Sequence, residues 1–171
     1  MTLAPDQRPQ KEPKYSLPEI ERRWLVRDDV AAELLAAHVD TAPDVIEDRY
    51  VTGTRLRLRR VRHADGGETL KLCLKYGRAS ALREPITNLY LTAHEYAVLA
   101  VIDGASVRKR RFRVAGGSLD VFDEPAGTPT YFEREFATVE AAMAYEPPAF
   151  AAEEVTGEPE HTGANIARRS V

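Results

Sequence analysis

The sequence predicts an α+β fold, an antiparallel sheet of about eight strands with helices flanking it. Three observations point there. From Ser16 onward the chain breaks into short runs of alternating polar and apolar residues, the period-2 signature of strands with two unlike faces. Turn signals such as Asp65-Gly66-Gly67 and Ala115-Gly116-Gly117 separate those runs at hairpin spacing. Helix-start patterns then interrupt the strand pattern in three places.

In chain order, residues 1–16 are read as a disordered lead-in, charged and proline-rich with little to bury. Strands are expected near 17–26, 45–51, 54–63, 68–77, 83–91, 106–114, 118–124 and 130–137, arranged as a meander. A helix over 28–38 opens on Asp28 and Asp29, acids that suit the positive end of the helix dipole. A second over 92–102 carries Thr92 and Glu95 at capping-box spacing, and a third over 138–145 starts on Thr138. The tail, 146–171, is proline-rich and then polar, with one short helix near 163–168.

Composition narrows the function. A chain of 171 residues suits one domain, here 17–171. Its single cysteine, Cys73, excludes an intramolecular disulfide and a multi-cysteine zinc site, and is read as a strand residue without chemistry. The first residues, MTLAPDQRPQKEPK, offer no apolar stretch for a signal peptide or membrane span, so a cytoplasmic protein is expected. A net charge of −3 argues against a nucleic-acid polymer or a membrane surface as partner. Anion binding must come from local arrangement.

That arrangement lies in the strands. Glu19, Glu21 and Arg23 share one face while Ile20 and Trp24 share the other. By the same parity Arg55, Arg57 and Arg59 project together, as do Lys71, Cys73 and Lys75, then Lys109, Arg111 and Arg113, and later Glu133 and Glu135. Asp120 sits between Leu119 and Val121. The wet face of a half-buried sheet also carries charge at every second position. Two features weigh against that reading. The charges are sorted by sign within a strand, where like neighbours repel, and arginine dominates, the side chain whose fork matches phosphate oxygens. A closed barrel with such an interior would bind a polyanion on its basic side and a hard cation, Mg²⁺ or Mn²⁺, on its carboxylate side.

Glu19-Ile20-Glu21-Arg22-Arg23 resembles the ExExK motif that opens domains of the CYTH, or triphosphate tunnel metalloenzyme, family. Leu56-Arg57-Leu58-Arg59 resembles that family's LRxR strand, and Leu74-Lys75 its strand ending in a lysine. Lys109-Arg110-Arg111-Phe112 is similar to KxRY, Leu119-Asp120-Val121-Phe122 to xDxF, and Glu133-Arg134-Glu135-Phe136 to ExEF. The tail from Glu154 to Ala167 resembles the bacterial inorganic triphosphatase-like branch, so the likeness runs in order from residue 17 to about 168.

The resemblance implies an eight-stranded antiparallel closed β-barrel, a tunnel with a triphosphate along its basic wall and divalent metal on its acidic wall. It makes Arg57, Arg59, Lys75, Lys109 and Arg111 phosphate ligands, with Arg55, Lys71 and Arg113 as further candidates by parity. Glu19, Glu21, Glu133 and Glu135, with Asp120 beside them, become metal ligands, and Glu21 and Arg23 the catalytic pair. Metal-dependent hydrolysis of inorganic triphosphate is the expected activity, since no base-reading cluster stands out. The other readings are a non-catalytic triphosphate, polyphosphate or nucleotide sensor, a thiamine triphosphatase, a class IV-type adenylate cyclase, and a purely structural barrel. Homodimers occur in the family.

The chain departs from the pattern twice. Arg23 stands where the motif has lysine, and Arg83-Glu84-Pro85-Ile86-Thr87-Asn88 stands where many relatives place R-x-E-x-E, with Pro85 suggesting an edge or bulge. His38, His63, His94 and His161 lack metal-ligand spacing and are read as surface residues, and Glu95 as a cap.

Overall fold

The computed structural model describes residues 13–78, 80 and 82–169. Eight antiparallel strands close into a barrel: β1 (Leu17–Val26), β2 (Asp44–Val51), β3 (Leu56–Arg62), β4 (Glu68–Lys75), β5 (Arg83–Tyr90), β6 (Gly104–Val114), β7 (Gly117–Glu124) and β8 (Thr130–Glu135). Four helices flank them: α1 (Asp28–Ala37), α2 (Ala93–Leu99), α3 (Val139–Ala144) and α4 (Gly163–Arg168). Residues 1–12 of the expected lead-in lie outside the described residues. Residues 13–16 form a turn in which the Ser16 amide and hydroxyl both donate to the Pro13 carbonyl, at 3.0 and 2.8 Å.

The strand order around the barrel is β1-β5-β4-β3-β2-β6-β7-β8, which corrects the simple meander. The segment β2 to β5 and the segment β6 to β8 are each meanders, but α1 carries the chain from β1 past its neighbours to β2, and α2 from β5 to β6. Local alternation cannot reveal those two crossings, because they depend on which distant edges pair. Closure brings β1 against β8, with Glu21 opposite Glu135 and Arg23 opposite Glu133.

Pro85 is neither at an edge nor in a bulge. It lies opposite Pro18 in the β1–β5 pairing, on a strand that also pairs with β4, and its carbonyl accepts from the Tyr76 amide at 3.0 Å. Thr92 caps α2 as expected: its side chain accepts from the Glu95 amide, and Glu95 returns the bond to the Thr92 amide at 2.7 Å.

The apolar parity faces outward. Trp24, Val26, Phe112, Val114, Leu119 and Phe132 form a buried cluster on the outside of β1, β6, β7 and β8, covered by Val30, Leu34 and Leu35 of α1 and by Phe150. Each such side chain removed from water contributes roughly 1.5–3 kcal/mol, so this outer layer supplies the stability that lets the barrel interior stay charged. The β6–β7 hairpin turns on Ala115 and Gly116, both at positive φ (48° and 71°), the geometry of a two-residue turn matched to sheet twist. An alanine there carries a Cβ penalty. Ala115→Gly is expected to stabilise the protein by up to about 1 kcal/mol, read as a rise in thermal midpoint of roughly 2–4 °C.

The tail is more than an appendage. Residues 152–155 run antiparallel to the second half of β1, with Leu25 donating to Glu153 and Val155 to Arg23, at 2.8 and 2.9 Å. Beyond them, Ile166 and Ala167 of α4 bury against Tyr131, Val107 and Val155.

Candidate functional site

The inward parity of the strands lines a cavity of about 580 Å³. Its walls carry Glu19, Glu21 and Arg23 from β1, Asp48 and Tyr50 from β2, Arg57 and Arg59 from β3, Cys73 and Lys75 from β4, Glu84 from β5, Lys109 and Arg111 from β6, and Glu133 and Glu135 from β8. The mouth adds Thr52, Gly53, Arg55, Arg78, Thr162 and Arg168 among others.

On the basic side, Asp48 is buried and binds Arg59 through both oxygens at 2.6 Å, with the Arg57 Nε 3.8 Å away. Burial works against the Asp48 carboxylate, but Arg59 and Arg57 outweigh it and hold its pKa well below the ordinary value. Arg57 Nε is buried without a hydrogen-bond partner among the described residues. A buried guanidinium edge with spare donors is suited to an anion.

On β6, Arg111 forks onto Asp120 with two contacts of 2.6 Å and reaches Glu133 at 2.6 Å, while Lys109 also pairs with Asp120. Burial pushes the Lys109 ammonium down in pKa although Asp120 and Glu133 oppose it. Asp120 is fully buried with both oxygens engaged by these cations. As the chain stands it orients Lys109 and Arg111.

On the acidic side, Glu19 pairs with Lys75, and Glu84 lies 3.4 Å from the same ammonium. Burial opposes the Glu19 carboxylate, yet Lys75 holds its pKa below the usual value, and Glu21 and Glu19 in turn raise that of Lys75 against burial. Glu133 is ionised strongly, burial being outweighed by Arg23, Lys109 and Arg111. Glu21 differs. The Lys75 Nζ stands 4.0 Å from it, and burial together with the charges of Glu19 and Glu133 raises its pKa against the pull of Lys75. An enclosed carboxylate crowded by two others calls for a further cation, and the donors available are hard oxygens. Glu19, Glu21 and Glu133, with Glu135 at the rim, therefore fit Mg²⁺ or Mn²⁺. A separate group, the exposed Glu158 and Glu160 with the half-buried His161, brings potential ligand atoms within 4.8 Å of one another, but it is not the predicted set.

Arg23 is taken up by the protein. Its guanidinium binds Glu133 at 2.5 Å, donates to the His161 carbonyl and lies over the Tyr131 ring. Burial is outweighed by Glu133 and Glu21, which raise its pKa. Lysine offers one nitrogen in place of the planar fork, so it cannot hold Glu133 and the His161 carbonyl from two separate nitrogens or lie flat over the ring. Arg23→Lys is expected to lower the thermal midpoint by roughly 2–8 °C, equivalent to about 1–2 kcal/mol, in a melting experiment.

The structure corrects the readings of Arg113, Lys71 and His161, while Arg55 stays at the cavity mouth. Arg55 lies in the turn before β3, exposed at the mouth and bonded to the Tyr76 carbonyl at 3.3 Å. Arg113 is exposed and contacts Ser118 and Asp44, away from the cavity lining, which also omits Lys71. His161 is no surface residue: its Nδ1 meets the Tyr131 hydroxyl at 2.9 Å and only 14% of its side chain is exposed. Glu84, Asp48 and Tyr50 are the cavity residues that the strand pattern did not single out. Register could have found Glu84, which lies opposite Glu19.

No family model and no curated protein matches the chain. Among solved structures, the hypothetical protein NE1496 is similar, at 23% identity over 87% of this chain and 97% of that one, with a TM-score of 0.50. A structure of the inorganic triphosphatase NE1496 aligns over the same shares of the two chains at 23% identity, with a TM-score of 0.49. The first likeness shows the fold, a closed eight-stranded antiparallel barrel with flanking helices.

Proposed function

We propose that this cavity binds inorganic triphosphate with Mg²⁺ or Mn²⁺ and hydrolyses it to diphosphate and phosphate. The observation that carries the proposal is the sorting of charge within one cavity. Arg57, Arg59, Lys109 and Arg111 stand on one side, and Glu19, Glu21 and Glu133 on the other, with Glu21 held 4.0 Å from the Lys75 ammonium. The name of the inorganic triphosphatase NE1496 agrees with it.

The chain's part is positioning and charge. The forks of Arg57 and Arg59 bind and orient phosphate oxygens, Lys75 adds a point charge beside the carboxylates, and Lys109 and Arg111, pre-aimed by Asp120, neutralise charge that builds up as the phosphoanhydride bond breaks. Glu19, Glu21, Glu133 and Glu135 would hold the divalent ion, which supplies Lewis-acid polarisation of phosphate oxygens and a more acidic water. Attack by water breaks the bridging P–O bond, and the proton released passes to solvent or to product. Among the described residues, no helix is long and apolar enough to cross a membrane.

The lining favours an inorganic substrate over a nucleotide or thiamine derivative. Its only aromatic residues are Tyr50 and Phe122, and Phe122 packs under Lys109 and beside Tyr131 instead of offering a free stacking face. A non-catalytic sensor is the second reading, favoured by the capture of Glu133 by Arg23. The test is phosphate release from inorganic triphosphate, thiamine triphosphate and ATP with Mg²⁺ or Mn²⁺, with cyclic AMP followed in the ATP reaction. Preferred turnover of inorganic triphosphate is expected. Tight metal-dependent binding without turnover of any substrate would establish the sensor, and cyclic AMP the cyclase.

A further inference from the structure

Two inward residues of β2 each face an inward arginine of β3. Asp48 lies opposite Arg59 and Tyr50 opposite Arg57. Asp48 spends both oxygens on Arg59, at 2.6 Å, and is 3.8 Å from the Arg57 Nε, so it does not fix the Arg57 fork. Tyr50 lies directly opposite Arg57 on the inward face, where cross-strand side chains touch, and so supplies the wall against which that fork is placed. Behind Tyr50 stands the tail. A Cβ built on Gly163 would fall 1.9 Å from the Tyr50 oxygen and 3.0 Å from the ring carbon that bears it, so the hydroxyl rests directly on the glycine backbone. Gly163 cannot easily retreat. His161 is tied to Arg23 through its carbonyl and to Tyr131 through its ring, and Ile166 and Ala167, about one helical turn further on, are buried.

We propose that Tyr50 is a positioning residue that transmits the placement of the C-terminal segment at Gly163 to the phosphate-binding fork of Arg57. The inference rests on the triphosphate reading of the cavity. Glycine at 163 is then a requirement of the site, since any side chain there must push the phenol off Arg57. It also makes a specific statement about coupling. Removing the hydroxyl removes the clash, because a Cβ at 163 then meets only the ring carbon at 3.0 Å, which a shift of a few tenths of an ångström relieves.

The experiment is a double-mutant cycle over Tyr50→Phe, Gly163→Ala and the pair, in the full chain. It reads KM and kcat for inorganic triphosphate, the calorimetric Kd of triphosphate with Mg²⁺, and the thermal midpoint. Tyr50→Phe is expected to raise KM and Kd about tenfold, because the ring loses its stop against Gly163 and the Arg57 fork its fixed neighbour, with kcat and the midpoint little changed. Gly163→Ala is expected to do the same, and the pair to be no weaker than Tyr50→Phe alone. Unchanged Kd in Tyr50→Phe, or losses that multiply in the pair, would overturn the proposal while leaving the triphosphate reading intact. A wild type that neither binds nor turns over triphosphate would remove that reading, and this inference with it.

Discussion

Glu21→Gln is expected to cut metal-dependent phosphate release from inorganic triphosphate by about 10²-fold or more while leaving the protein folded. The substitution keeps the shape of the side chain and deletes its charge. In the structure that charge stands 4.0 Å from the Lys75 ammonium and is crowded by Glu19 and Glu133, the setting in which a carboxylate gains most from a further cation. Stability separates this from a folding defect. The folded-state pKa of Glu21 is raised, so metal-free protein loses stability as pH climbs from the ordinary carboxyl value of 4.5 through the folded one. Glutamine removes that loss. Metal-free Glu21→Gln should therefore melt at or above the wild-type temperature at neutral pH, and its midpoint should respond less to added Mg²⁺ or Mn²⁺. Wild-type activity in Glu21→Gln would exclude the metal role given to this carboxylate.

Asp48→Ala is expected to be the most destabilising single change in the cavity, at about 3–5 kcal/mol, against a total of roughly 5–15 kcal/mol for a typical domain. The cause is what it leaves behind. Arg59 and Arg57 are both largely buried, and without Asp48 neither has a carboxylate at contact distance among the described residues. Chemical denaturation measures the loss. The acid limb gives a second signature: because the Asp48 pKa is depressed, its contribution is fully present above the unfolded-state value, about 3.9, and disappears as pH falls towards the folded one. The variant should lack that part of the acid transition. Added triphosphate, a replacement anion for the two forks, should recover part of the lost stability by preferential binding to the folded state.

Much of the barrel was legible because strand parity is a local property. The spacing of Glu19, Glu21, Glu133 and Glu135, or of Arg57 and Arg59, fixes which residues share a face whatever the strand order, and the cavity collects all of them. Strand β2 was harder, since both of its faces carry charge: Glu47 and Arg49 face outward to Arg62 and the Ala100 carbonyl, so Asp48 did not stand out from an alternation. Asp120 shows a different limit. Parity places a carboxylate on a face but cannot say that Lys109 and Arg111 already occupy its oxygens. The contribution of the tail was hidden for a third reason. His161 and Gly163 act through a backbone carbonyl and an absent side chain, neither of which has a residue-type signature.

Titrating the wild-type protein with inorganic triphosphate in a calorimeter, once with Mg²⁺ and once with a chelator, tests the charged cavity most directly. One binding event per chain, strengthened at least tenfold by the metal and weakened by Glu21→Gln, is the predicted result. No binding at millimolar triphosphate, or binding equally tight in chelator and unaffected at Glu21, would contradict the assignment of the two walls.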